Sequence, residues 1–298
     1  NKSRIIKSLI CFFIIIKNFW NKEIIIFSLQ SNLFSIIASK IINSKIIIRL
    51  NTSPEKYSSN FAKKLMFKIL YNLANKIIVN SHEFKLNIKN YFNLDSTVIL
   101  NPLKVSKNKK KVLFFKNFKE LKIISIGRLT DQKDHLTLLK SLSLLKNKFK
   151  VDFKLYLIGK GYNLNLLINF KKDNDLKKNV KLAGFRKNAF EYIGSSDLLV
   201  LSSRYEGLPN VLIEAQASGT PIISSNCPSG PKEILMNGKL GELFKVGDYE
   251  SLCKKIFEYF KNKKILKKKS ILAKKYLYRY NYKSNLEKYL KILKNNID

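Results

Sequence analysis

Along this chain, short continuous apolar runs alternate with longer stretches in which apolar residues recur at helical spacing. In the first third the runs fall at 23–28, 46–48, 77–79 and 98–100, and the stretches 2–20, 31–42, 60–74 and 82–92 read as helices. A strand that is apolar at every position has to be covered on both faces, the condition of a parallel sheet with helices on each side. The alternation resumes after residue 120, with strands predicted at 121–126, 154–158, 180–183, 198–202 and 221–224, each followed by a helical segment. In the first of those helices Leu138, Leu139, Leu142 and Leu145 share a face, and Asp134 is placed to cap its start. From Tyr249 onward the pattern is that of Lys-rich amphipathic helices, a solvated face over an apolar stripe. The fold class that follows is α/β, two doubly wound Rossmann-like domains facing a cleft: 1–104, then 105–280, with 281–298 a helix packing back toward the first domain. Such sheets bind ligands in the loops after the carboxyl ends of their strands.

Glycine marks out which domain holds those loops. All 11 glycines lie between Gly127 and Gly247, and glycine is needed where the backbone turns sharply or approaches a ligand closely. Between the two domains, Asn101-Pro102 and the Lys-rich run 106–111 form a linker.

Composition adds limits. With 298 residues, 45% of them hydrophobic and 26% charged, the chain is neither disordered nor a disulfide-stapled mini-protein. Its 57 Lys and Arg against 21 Asp and Glu leave a net charge of +36, which calls for anionic partners. Much of that surplus reflects a composition crowded with Ile, Lys and Asn, in which only six bases are Arg: Arg4, Arg49, Arg128, Arg186, Arg204 and Arg279. No stacking or groove-reading motif accompanies the lysines, so no nucleic acid is expected, whereas attraction to an anionic membrane surface is. Cys11, Cys227 and Cys253 are too widely spaced for a zinc site or disulfide framework, which points to a reducing compartment. The most apolar stretch, LICFFIII at 9–16, is too short to span a bilayer; a signal-peptide core and an interfacial helix are alternatives to the favoured reading, a buried helix. The first residue is Asn1, not Met, which leads us to expect that something upstream is absent.

Four loops carry candidate chemistry. Gly127-Arg128-Leu129-Thr130-Asp131-Gln132-Lys133-Asp134 runs from a strand into a helix, so Arg128 and Lys133 flank a helix N-terminus, an arrangement suited to a diphosphate; the plain alternative is a surface Arg128 paired with Asp131 or Asp134. Gly159-Lys160-Gly161 is either a tight turn or a ligand contact, and Gly184-Phe185-Arg186 either ordinary loop packing or a nucleobase contact. The segment 202–215 is richer: Glu206 lies in a loop, Gly207 permits a turn, Pro209 suits the first turn of a helix that Gly219 ends, and Glu214 falls inside that helix. A carboxylate accepts well from the vicinal hydroxyls of a ribose or sugar.

EGLPNVLIEA, with Glu206 and Glu214 separated by seven residues, resembles the E-x7-E segment of retaining GT-B glycosyltransferases of family 4. GRLTDQKDH resembles that family's G-R-x(3,4)-Q-K segment, and SSNCPSGPKEIL with Gly238 and Gly241 its next loop and helix; Arg49-Leu50-Asn51 and Asn101-Pro102 match more loosely. The resemblance implies a metal-independent hexosyltransferase that moves a sugar from a nucleotide-sugar donor, a UDP-sugar, to a glycan or lipid-linked acceptor for surface polysaccharide such as lipopolysaccharide or capsule. It implies a cytoplasmic protein, peripheral on the inner face of the plasma membrane, with no cofactor beyond the donor. Arg128 and Lys133 would bind the diphosphate, Glu206 would face the donor sugar, and Glu214 would hold the ribose. Gly127, Gly159, Arg186, Gly207 and Leu208 would complete the donor site. Asp173-Asn174-Asp175 reads as a turn, not a metal motif. With no glycine before Gly127, the amino-terminal, acceptor-side domain is expected to be short of the family's by one or two βα units. The rival readings are a donor-binding protein without transferase activity, a phosphorylase or epimerase on the same fold, and a nucleic-acid binder.

Overall fold

The computed structural model describes residues 4–51, 60–103 and 112–297. The run at 106–111 and the expected boundary at 104–105 lie outside the described residues. The chain forms two compact units, Asn1–Pro102 with Tyr282–Asp298, and Leu103–Asn281.

In the first unit, strands β1 (Ile25–Ser28), β2 (Lys45–Leu50), β3 (Lys76–Val79) and β4 (Thr97–Val98) form a parallel sheet in the order β1-β2-β3-β4. Helices α1 (Arg4–Phe19), α2 (Asn32–Ile41), α3 (Phe61–Asn72) and α4 (His82–Phe92) alternate with them. The continuous apolar character of β2 has its cause in coverage on both sides. Ile46 and Ile48 pack with Phe84, Ile88 and Phe92, whereas Ile47 joins Ile78 and Ile99 under Tyr289, Ile292 and Leu293 of the C-terminal helix Tyr282–Ile297. His82 opens α4 behind an N-cap Ser81, whose hydroxyl accepts from Phe84 N–H at 3.1 Å.

The expectation of a buried helix at 9–16 is overturned. In α1, Ile5 is 67% exposed, Phe13 63% and Ile14 51%, with Leu9 and Ile10 also exposed. The helix rests on α2, and the apolar side chains of its other face are exposed. No helix of the described residues is long and apolar enough to cross a membrane.

The second unit holds six parallel strands: β5 (Leu121–Ile126), β6 (Phe153–Ile158), β7 (Val180–Leu182), β8 (Leu198–Leu201), β9 (Ile222–Ser225) and β10 (Glu242–Phe244). Their order is β10-β9-β8-β5-β6-β7. The chain steps outward from β5 to β7, returns to lay β8 against β5, and then steps outward the other way. The reversal between β5 and β8 is a topological switch point, where the loops leaving the two strands diverge and a crevice opens. Helices α5 (His135–Phe149), α6 (Leu164–Asp173), α7 (Phe190–Ile193), α8 (Asn210–Ser218), α9 (Pro231–Ile234), α10 (Tyr249–Lys261) and α11 (Lys263–Lys275) complete the unit. Leu138, Leu139, Leu142 and Leu145 are fully buried against the sheet, each such side chain contributing about 2 kcal/mol. Phe149 of α5 stacks on Phe257 of α10 with ring centroids 4.1 Å apart.

Several expectations are corrected. Strand β10 was not predicted, because three residues with only Phe244 buried make no apolar run. Strand β7 leads to the four-residue α7, short of a full helix. Pro209 stands one residue before α8, at its N-cap with φ −70 and ψ 102, so the helix opens at Asn210; Gly219 ends it at φ +75. Asp173 and Asp175 flank the C-cap of α6, and Asp175 pairs with Lys146 at 2.8 Å. Among the described residues no three His, Cys, Asp or Glu are grouped to hold a metal ion.

Candidate functional site

The two loops that leave β5 and β8 meet at the switch point, and hydrogen bonds to backbone carbonyls knit them. Ser202 Oγ donates to Lys133 O at 3.1 Å, Gln132 Nε2 to Tyr205 O at 3.1 Å, and Arg204 N to Gln132 O at 2.8 Å. The end of β9 and the loop after it support them from the side: Ser225 Oγ donates to Ser203 O at 2.6 Å, and Glu206 N to Pro228 O at 3.3 Å. Gly230 lets the loops close, since a Cβ there would lie 2.3 Å from Gly207 O. Gly207 and Leu208 are both buried in this junction.

Lys133 and Glu206 come together at its centre. Lys133 Nζ and Glu206 Oε1 are 2.5 Å apart, with side chains only 14% and 7% exposed, and Ser203 Oγ donates to the same oxygen at 2.5 Å. Gly127 makes room for the lysine: a Cβ at 127 would press on the Lys133 stem at 3.1 Å. Arg128 is exposed, and its Nη2 donates to Gln132 Oε1 at 2.8 Å. Neither aspartate of the loop takes it. Asp131 is held by Asn163 Nδ2 at 2.8 Å and Tyr162 Oη at 3.0 Å, bonds that keep its carboxyl below the ordinary range. Asp134 caps α5, accepting from Thr137 Oγ1 at 2.9 Å, and pairs with Arg204 Nε at 3.1 Å.

His135, next in sequence, is buried and neutral: burial first, then the nearby Lys133 charge, pushes its pKa down to about 4. Burial, with the Glu206 carboxylate second, pushes the Cys227 thiol up to about 12, so it is an inert neighbour.

Glu214 stands apart from this pair. It is half-buried on α8, forms no hydrogen bond or ion pair among the described residues, and burial raises its pKa. A desolvated carboxylate without donors is an acceptor left open for a ligand's hydroxyls.

Gly159 has a packing role, because a Cβ there would lie 1.8 Å from Gly127 O; a Cβ at Gly161 would lie 2.2 Å from Leu129 O. Arg186 is exposed beside Phe185, over which Lys160 Nζ lies 5.5 Å from the ring centroid. The structure thus joins Lys133 to Glu206 directly, ties Arg128 to their loops through Gln132, and leaves Arg186 and Glu214 outside this network. Sequence reasoning assigned no role to Gln132, Ser203, Arg204 or Ser225. Arg204, an Arg directly after a strand in a chain rich in Lys, carried a usable signal; the other three are common polar residues and carried none.

The family described as glycosyl transferases group 1 matches residues 106–276. The chain is 30% identical over 197 residues to the amylovoran biosynthesis glycosyltransferase AmsD of Erwinia amylovora, covering 65% of this chain and 55% of that protein. It is 26% identical over 217 residues to the Campylobacter jejuni N-acetylgalactosamine-N,N'-diacetylbacillosaminyl-diphospho-undecaprenol 4-alpha-N-acetylgalactosaminyltransferase, covering 70% of this chain and 58% of that one. The chain spans little more than half the length of these curated relatives. The structure of HepE from Anabaena, solved in complex with UDP, matches with a TM-score of 0.78 at 17% identity over 95% of this chain and 82% of that one. That likeness shows the fold, which is GT-B.

Proposed function

The chain belongs to the glycosyl transferases group 1 family, and from that premise we propose that it moves a hexose from a nucleotide-sugar donor, a UDP-sugar, to a glycan or lipid-linked acceptor in surface-polysaccharide biosynthesis. The observation that carries the reading is the Lys133–Glu206 pair, held at the switch point of a doubly wound sheet.

Transfer proceeds with retention at the anomeric carbon. As the glycosidic bond to the diphosphate breaks, negative charge builds on the leaving phosphoryl oxygens. Arg128 and Lys133 stabilise that charge, Lys133 exchanging its contact with Glu206 for the phosphate, and this preorganised positive charge lowers the barrier without a divalent metal. Glu206, released from the lysine, faces the donor sugar. Glu214 takes the ribose hydroxyls, which fits its half-buried carboxylate without donors. Gly127, Gly159, Gly207, Leu208 and Arg186 line the donor. The names of the Erwinia and Campylobacter relatives support the polysaccharide and lipid-linked parts of the reading, and HepE's complex supports UDP. The net charge of +36 supports attachment to the inner, anionic face of a membrane.

Calorimetric titration with a panel of nucleotide sugars tests it. A UDP-sugar should bind, and Arg128→Ala and Glu214→Ala should each weaken binding at least tenfold. Absence of any nucleotide binding, or variants that bind as the parent does, would refute the assignment.

A further inference from the structure

A cavity of about 500 Å³ opens in the first unit at the carboxyl ends of β1 and β2. One part of its wall is cationic. Lys7 and Arg49 are its charged lining residues, and among the described residues no carboxylate lines it. Arg49 is held by two neutral oxygens: Nη1 donates to Asn51 Oδ1 and Nη2 to Asn101 Oδ1, each at 2.5 Å. These amides orient the guanidinium without neutralising it, and its Nε is buried with no acceptor among the described residues. Lys7 has no carboxylate partner among the described residues. The same wall includes the start of α2, whose N-cap Ser31 makes no cap bond and instead shares a hydrogen bond of 2.8 Å with Ser8 Oγ. A half-buried guanidinium that shares one wall with a helix start lacking a side-chain cap and with an exposed ammonium is a positive site without a charged partner among the described residues, and an anion would complete it. Leu29, Leu33, Phe34, Phe67 and Tyr71 give the wall an apolar part, beside the polar Gln30, Asn32 and Asn51.

We propose that this cavity binds a phosphorylated amphiphile, its phosphoryl oxygens on Arg49 and Lys7 and its apolar part against Phe34, Phe67 and Tyr71. A bare phosphate would leave the aromatic wall unused, and a neutral lipid would leave the cations unpaired. That the amphiphile is the sugar acceptor rests on the glycosyltransferase reading; that it binds here does not.

The test titrates farnesyl diphosphate, farnesol and inorganic diphosphate into the full chain by calorimetry, in the parent and in Lys7→Gln and Arg49→Gln variants. Farnesyl diphosphate should bind at least tenfold more tightly than either farnesol or inorganic diphosphate. Arg49→Gln should weaken it tenfold or more, and Lys7→Gln severalfold. Lys7 is exposed, so its variant folds even if loss of the Arg49 bonds unsettles the other. UDP should bind both variants as it does the parent, so this proposal and the donor reading fail separately. Equal affinity for farnesol, equal affinity for inorganic diphosphate, or unchanged farnesyl diphosphate binding in Lys7→Gln would each overturn the proposal. So would displacement of farnesyl diphosphate by phosphatidylglycerol vesicles at equal phosphate concentration, which would make the cavity a bilayer headgroup site.

Discussion

At the scale of single residues, Glu214 and Glu206 share a motif and differ in physical state. Glu206 is compensated by Lys133 and Ser203, and removing either partner of such a buried pair strands the other. Glu214 is half-buried and uncompensated, with a pKa raised by burial. Its native state therefore holds a proton more tightly than the unfolded chain does. The ionised form costs stability at neutral pH, and the cost fades as pH falls through the raised native pKa. Glu214→Gln should accordingly melt at the same temperature as the parent or slightly higher, while UDP affinity falls tenfold or more. In the parent, UDP affinity should weaken on acidification earlier than an ordinary carboxylate would allow. A thermal melt at pH 7.5 beside a calorimetric pH series checks both, and a clear drop in melting temperature would make Glu214 a structural residue. The seven-residue spacing of the two carboxylates was legible in the sequence. The pairing of Glu206 with Lys133 was not, because the partners are 73 positions apart.

At the scale of elements, the glycine-bearing loops act as packing joints. Gly159 and Gly161 bring the loop after β6 onto the backbone of the loop after β5, so the diphosphate candidates are held from beneath by a neighbouring turn. Gly159→Ala places a methyl group against a carbonyl oxygen, with backbone on both sides of the clash, and should cost about 3 kcal/mol. In a unit of this size that lowers the melting point by about 10 °C. Gly247→Ala is the control: its φ is +77 but the space around it is open, so only backbone strain of about 1 kcal/mol is expected. Equal melting points for the two variants would remove the packing role. Most elements could be read from pattern, because strands covered on both faces are apolar throughout and the helices keep their stripe. β10 escaped because it is a short edge strand, and α1 misled because an apolar sequence reports a preference for burial, not the presence of something to bury it.

At the scale of the whole molecule, the surplus of positive charge makes a prediction that no single residue carries. The chain should co-sediment with phosphatidylglycerol vesicles, and binding should fall severalfold between about 0.1 M and 0.5 M NaCl as screening shortens the reach of each charge. Equal binding to phosphatidylcholine vesicles, or indifference to salt, would dissociate the charge from any membrane role. The amino-acid sequence by itself determined the α/β class, the alternation of strand and helix, and the loops that hold the candidate chemistry, since these follow from local periodicity, glycine placement and short-range motifs. Strand order, and with it the switch point between β5 and β8, was decided only in the tertiary structure. So were the ion pair of Lys133 with Glu206, the isolation of Glu214, and the two amide oxygens that hold Arg49 in the wall of the cavity at the ends of β1 and β2. Each of these depends on which distant segments come within a few ångströms, and that is set by packing summed over the whole sheet, of which a local pattern holds no record.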